Sequence, residues 1–186
     1  MKLDNSYIHI CNLNISEVKS NLPNINSSLW HKDTFRQELY EVHNQTLSII
    51  FKWDSNNDGD KSFINKEIIN SQLGKSIKTI LVKILNYYPE TKLSKTMLTL
   101  LPPKTKIKEH IDGGILENVH RIHVPIISNK KCIFNIDKKD YYFKEGSCFE
   151  FDNTRNHYVN NQSNNSRVHL IVDLIPNGKI KNINGI

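Results

Sequence analysis

From Ser94 onward the chain is a succession of short β-rich segments parted by turn residues, a texture that suits two packed sheets. The segments are Met97–Leu101, Val119–Ile127, Cys132–Ile136, Tyr141–Phe143, Cys148–Phe151, His157–Asn160 and Arg167–Ile175. Clusters such as PPK, DGG, SNKK, DKKD, KEG and NQSNNS divide them. The sequence before Ser94 reads differently. A short strand is expected at Tyr7–Cys11, then an amphipathic helix through Ile15–Leu22 stopped by Pro23. Glu38–His43 and Thr46–Trp53 read as two strands about the turn residues Asn44 and Gln45. After a polar loop from Asp54 to Ser62, residues Ile64, Ile68, Leu73, Ile77, Ile80, Leu81, Ile84, Leu85 and Tyr88 share one broad helical face, which Pro89 ends. Helices first and closely spaced strands later predict a mainly β (α+β) fold, a double-sheet, cupin-like jelly roll with N-terminal helices packed outside it. A β-sandwich of another topology fits the same segments, because strand order is not written in a single sequence.

The 186 residues suit one domain, with 1–93 supporting a core over 94–176 and a tail over 177–186. The net charge of +6 comes almost entirely from lysines scattered among asparagines and isoleucines; Arg36, Arg121, Arg155 and Arg167 are the only arginines. A solvated lysine surface accounts for that pattern, and a nucleic-acid site is not expected. Cys11, Cys132 and Cys148 form no CxxC pair and read as reduced residues of a cytoplasmic protein. The start lacks the apolar run of a secretory signal, and no segment is apolar enough to predict a membrane span.

His110 and Asp112 stand at i and i+2, so on an extended segment both side chains reach one ion. The pair alone is weak, since His31 and Asp33 repeat it in a loop or helix with nothing behind it, and an exposed turn before Gly113-Gly114 would also explain it. His157, on a later strand, is the candidate third ligand. Two histidines and one carboxylate leave open positions suited to non-haem iron(II). Arg167 strengthens the set: it opens the strand Arg167–Asp173, where alternation puts Arg167, His169 and Ile171 on one face. A guanidinium inside a jelly roll calls for an anion, and a dicarboxylic co-substrate would supply it. Arg121 and His123 alternate on another strand and, if inward, could meet a carboxylate of co-substrate or substrate; a reversed register would leave both solvated. His43 and His120 read as surface residues, and His169 as a hydrogen-bonded core histidine. Asp54 to Gly59 resembles the start of a calcium loop, but its twelfth position is Asn65 rather than glutamate, so a simple turn is expected.

The ordered set LTLLPPKTKIKEHID, RIHVPI, KEGSCFEFDNTRNHYVNN and RVHLIVD resembles the aspartyl/asparaginyl β-hydroxylase family of iron(II)/2-oxoglutarate dioxygenases, from about Met97 to Pro176. The N-terminal half is similar only loosely, through Glu41-Val-His43 and the strand after it. The resemblance implies a double-stranded β-helix. It implies His110, Asp112 and His157 as metal ligands, Asp112 matching the carboxylate of the branch that includes proline hydroxylases. It implies Arg167 for the far carboxylate of 2-oxoglutarate, assisted by Thr99, with Arg121 and His123 as a pocket pair. Lys104 departs from the glycine that many relatives carry after the proline, which bears on the shape of that turn.

The implied reaction takes Fe(II), 2-oxoglutarate and O2, hydroxylates an unactivated carbon, and releases succinate from the co-acid. Its substrate would be an amino acid or an amino-acid side chain in a peptide or protein, contacted by Arg121, Arg155 or Trp30. With only about ten residues after Pro176, no added C-terminal domain is expected, which favours a peptide or protein. The competing readings are a non-enzymatic metal-binding jelly-roll module and a basic nucleic-acid-binding protein. Neither gives a reason to keep His110, Asp112, His157 and Arg167 together.

Overall fold

The computed structural model describes residues 3–56 and 62–177. Two antiparallel sheets face each other. The larger takes, in spatial order, β1 (Tyr7–Asn12), β9 (Ser147–Phe151), β6 (His120–Ile127), β11 (Arg167–Pro176), β4 (Thr91–Leu101), β2 (Leu47–Asp54) and β3 (Ser62–Ile64). The smaller takes β5 (Lys106–His110), β10 (His157–Asn161), β7 (Cys132–Ile136) and β8 (Lys139–Tyr141). This is the expected jelly roll, and the open choice of strand order is settled in its favour.

Period-two alternation sorts the large sheet into two unlike faces. Val168, Leu170, Val172 and Leu174 of β11, Ile122, Val124 and Ile126 of β6, and Leu98 and Leu100 of β4 point one way. They pack on Val18 of α1 (Ser16–Asn21), Ile68 of α3 (Lys66–Asn70) and Ile77, Ile80 and Ile84 of α4 (Gln72–Leu85). The helices therefore lie outside the sheets, as the sequence predicts. The opposite face looks at the small sheet and is mixed. Leu101, Phe149 and Phe151 meet Ile107, Phe134, Ile136 and Val159 in an aromatic-rich layer. Arg121, His123, Arg167, His169 and Asp173 occupy the alternate positions of β6 and β11, all buried.

Two expected elements change. Glu38–His43 is not a strand but the end of α2 (Phe35–Leu39) and a 3-10 turn at Glu41–His43. Thr34 starts this helix, taking a hydrogen bond at its carbonyl from Glu38 N at 3.2 Å. The long helical pattern from Ile64 to Tyr88 is broken. Ile64 belongs to β3, the Asn65 side chain accepts from Ile68 N (3.2 Å), and Ser71 Oγ accepts from Gly74 N (3.1 Å), so two capped helices replace one. The calcium-like stretch falls partly outside the described residues, as does most of the expected tail.

A Cβ on Gly74 would stand 2.3 Å from the carbonyl oxygens of Ile68 and Ile69. Gly74→Ala is therefore expected to destabilise the protein by about 2–3 kcal/mol in urea unfolding. An unchanged midpoint would mean that the junction of α3 and α4 yields freely. At Lys104 φ is +58°, so a lysine holds a backbone conformation that glycine adopts without penalty.

Candidate metal centre and acid-binding cavity

The small sheet supplies the histidines. Its register sets His157 opposite His110 on one side and Ile136 on the other. Beyond the end of β5 the chain turns, and Asp112 N donates to Asn153 O (2.9 Å), which ties that turn to the approach to β10. Ligand atoms of His110, Asp112 and His157 all lie within 4.8 Å of one another. His110 Nε2 is 3.8 Å from Asp112 Oδ1, and His157 Nε2 is 3.9 Å from Asp112 Oδ2. Backbone carbonyls orient both rings: His110 Nδ1 bonds Lys108 O (2.7 Å) and His157 Nδ1 bonds Arg155 O (2.8 Å). A carbonyl only accepts, so each Nδ1 carries the proton and each Nε2 turns a lone pair to the centre. Burial holds the His157 pKa down at about 4, which keeps that lone pair available near neutral pH. Burial alone would raise the Asp112 pKa, but Arg121 and the two histidines outweigh it, and the carboxyl is held below its ordinary range.

The large sheet supplies the remainder in rows. Lys95, Asp173 and Arg121 are in register across β4, β11 and β6; Met97, Ile171 and His123 form the next row, and Thr99 stands beside His169 in the third. Arg121, expected to meet a carboxylate of co-substrate or substrate, meets two protein carboxylates in this structure. Its Nη1 donates to Asp112 Oδ2, while Nε and Nη2 grip Asp173 at 2.9 and 2.7 Å. The reversed, solvated register is thereby excluded. Asp173 drew no attention in the sequence, although alternation puts it on the face of Arg167 and His169.

Arg167 lies at the other end of the cavity and is 2% exposed. Its Nη2 is 2.6 Å from His169 Nδ1, and among the described residues it enters no ion pair. Because a guanidinium only donates, His169 accepts there and is neutral; burial, then the Arg167 charge, drives its pKa well below normal. Burial lowers the Arg167 pKa to about 10. Thr99 Oγ1 and His123 Nε2 are buried and have no hydrogen-bond partner. These three groups and the triad line a single cavity, walled by Ile107, Phe134, Phe151 and Val159.

Other expectations fall away. His43 is no surface residue: it is buried, its ring stands edge-on to His110 at 5.5 Å between centroids, and its Nδ1 is unpartnered. His120 is half-buried and bonded to Glu150 Oε1 at 2.9 Å, on the helix side of the sheet. Trp30 is in the helix-side core, and Arg155 pairs with Asp137 and Asp152, so neither lines the cavity. His31 and Asp33 belong to no metal-ligating group among the described residues.

Two facing antiparallel sheets with a His-Asp-His cluster and a buried arginine between them define the class of a double-stranded β-helix with a candidate facial metal triad. The aspartyl/asparaginyl β-hydroxylase family model matches residues 30–176, most of the chain, and the chain belongs to that family, as a hydroxylase. No curated protein matches the sequence. Among solved structures, an oxidoreductase of the 2OG-Fe(II) oxygenase family from Burkholderia pseudomallei superposes with a TM-score of 0.59 at 9% identity, over 87% of this chain and 75% of its own. The viral collagen prolyl hydroxylase of Paramecium Bursaria Chlorella virus-1, solved as its 2OG complex, gives 0.57 at 10% identity over 93% and 97%. The non-heme monooxygenase ThoJ, solved with nickel, gives 0.57 at 13% identity over 92% and 74%. At these identities the likeness is one of fold.

Proposed function

We propose that the chain is an Fe(II)- and 2-oxoglutarate-dependent dioxygenase that hydroxylates an unactivated carbon of an amino acid, free or within a peptide or protein. One observation carries the reading. Two histidine lone pairs and a carboxylate converge at one end of a cavity whose other end holds a buried arginine with no acid paired to it among the described residues. The donor set fits iron(II), and the unpartnered Thr99 Oγ1 fits the far carboxylate of a dicarboxylic acid.

In this reading His110, Asp112 and His157 hold the metal. Once bound, iron(II) and 2-oxoglutarate supply oxygen activation coupled to decarboxylation of the co-acid. Arg167 neutralises the far carboxylate and Thr99 donates to it, with His123 beside them. Arg121 is a positioning residue: held by Asp173, it fixes the orientation of Asp112 and keeps it ionised. Phe134, Phe151 and Val159 exclude water from the space between the two ends.

Anaerobic addition of iron(II) and 2-oxoglutarate is expected to give a weak visible charge-transfer band in the wild type, absent in His110→Ala and Asp112→Ala. A wild type with neither the band nor succinate formation in air would defeat the reading.

A further inference from the structure

Neither the metal side nor the acid cradle uses Cys11 and Cys148, yet the two are direct partners across antiparallel strands. The register of β1 with β9 sets Cys11 opposite Cys148, just past a shift in register after His9, and Asn12 opposite Ser147. Leu13 N then donates to Gly146 O at 2.7 Å, which extends the pairing beyond the strand ends. Residues directly opposed in such a pair share a face of the sheet. Here that face is the helix side: Cys148 is buried in its core, and half-buried Cys11 packs against the same cluster. Opposed Cα atoms stand about 4.5–5.5 Å apart, within the roughly 4.4–6.8 Å that a disulfide spans. Both thiols are free. Tyr87, exposed just past α4, touches the outer sulfur, and a hydrogen bond with Cys11 raises its pKa. Burial, then the charge of Cys11, raises the Cys148 pKa, so the inner thiol rests protonated. Cys132, the remaining cysteine, lies on the other side of the larger sheet, in the aromatic layer.

A thiol reached from solvent, with a second thiol in bonding position behind it, is the arrangement from which reversible disulfides form. We propose that Cys11 and Cys148 are a modification site, at which a hydroperoxide converts the pair to a disulfide that fastens β1 to β9. The Cys11 thiolate takes one oxygen from hydrogen peroxide and becomes a sulfenic acid, and the hydroxide released picks up the proton that Cys11 lost. The Cys148 sulfur then attacks the Cys11 sulfur; the S–O bond breaks, and its oxygen leaves as water with the Cys148 proton. Two thiols lose two electrons and two protons, and the peroxide is reduced to two waters. The bond acts where the fold is least secured. β1 is the edge strand of the larger sheet, while its partner β9 carries Phe149 and Phe151 into the aromatic layer. Joining residues 11 and 148 closes a loop over most of the chain, and long loops are those whose closure restricts the unfolded state most. Cys11, Cys148 and Tyr87 lie outside the metal cavity, so the site stands independently of the hydroxylase reading.

The test is treatment of the full chain with hydrogen peroxide, read by intact mass, by peptide mapping after the remaining thiols are alkylated, and by thermal unfolding. Wild type is expected to lose two hydrogens, to leave Cys132 alone open to alkylation once denatured, and to yield a peptide pair joining Cys11 to Cys148. The melting temperature should rise by about 10 °C and return to its starting value with dithiothreitol. Cys11→Ser and Cys148→Ala should each abolish the crosslink and the shift, whereas Cys132→Ser should keep both. In Cys148→Ala the oxidation should stop at a Cys11 sulfenic acid, which dimedone traps. Should Cys148→Ala fail to fold, Cys11→Ser at the half-buried position and the mapped wild-type peptides carry the test. A disulfide to Cys132 or to a second chain, a sulfinic Cys11 beside an alkylatable Cys148, or three intact thiols under peroxide that oxidises free cysteine would each overturn the site. A crosslink that leaves the melting temperature unchanged or lower would overturn the fastening of β1.

Discussion

Arg167→Gln is expected to raise the KM for 2-oxoglutarate by about a hundredfold or more while metal affinity stays near the wild-type value. The magnitude follows from truncating one partner of a buried, charge-assisted pair, which costs about 2–5 kcal/mol. The free protein should behave differently from its complex. Among the described residues Arg167 has no acidic partner of its own, only His169 Nδ1 and the Phe134 ring, whose centroid is 6.0 Å from its guanidinium carbon. Removing an uncompensated buried cation relieves a desolvation cost, so the variant should unfold at the same or a higher temperature. Steady-state kinetics against 2-oxoglutarate, iron titration and thermal unfolding separate these effects. Parallel loss of metal and co-substrate would make Arg167 a structural residue.

Asp173→Asn should do the reverse, lowering stability first and metal affinity with it. Asp173 is 0% exposed and receives two of the three hydrogen bonds by which Arg121 is held. Without its charge, Arg121 keeps only Asp112, which the metal also needs. Breaking such a buried pair costs about 3–5 kcal/mol, or roughly 10 °C in a chain of this size. Iron affinity should fall by about 10- to 100-fold, the usual effect of removing a group that orients a ligand. A melting temperature within about 2 °C of wild type, together with unchanged iron affinity, would show that packing rather than Asp173 holds Arg121.

Strand alternation made much of this site legible in advance. The period of two in Arg167-Val-His-Leu and in Arg121-Ile-His-Val gathers the polar residues of each strand on one face without any knowledge of strand order, though for Arg121 and His123 it leaves open whether that face is inward. What alternation could not assign is a partner. The carboxylates of Arg121 lie on a different strand and in a turn, and only the register of β6 with β11 brings Asp173 opposite it. β5 escaped for another reason. Lys106 to His110 is mostly polar, being an edge strand with one buried residue, Ile107. His43 lies where Glu38–His43 reads as a strand and a 3-10 turn forms instead; Arg36 stands just before that stretch, on a short helix that the sequence reading does not include.

The two ends of the cavity rest on unequal ground. Arg167 belongs to β11, hydrogen-bonded on both flanks in the middle of the larger sheet, and His157 to β10, likewise flanked on both sides in the smaller one, whereas His110 closes a strand with a free edge and Asp112 sits in a turn. Local opening begins at edges and turns, and central strands yield only with the whole domain. In the proposed reading Arg167 and His157 thus form the stiff anvil of the site, and His110 and Asp112 its movable jaw. A co-substrate seated first on the anvil would meet a jaw still able to adjust its grip on the ion.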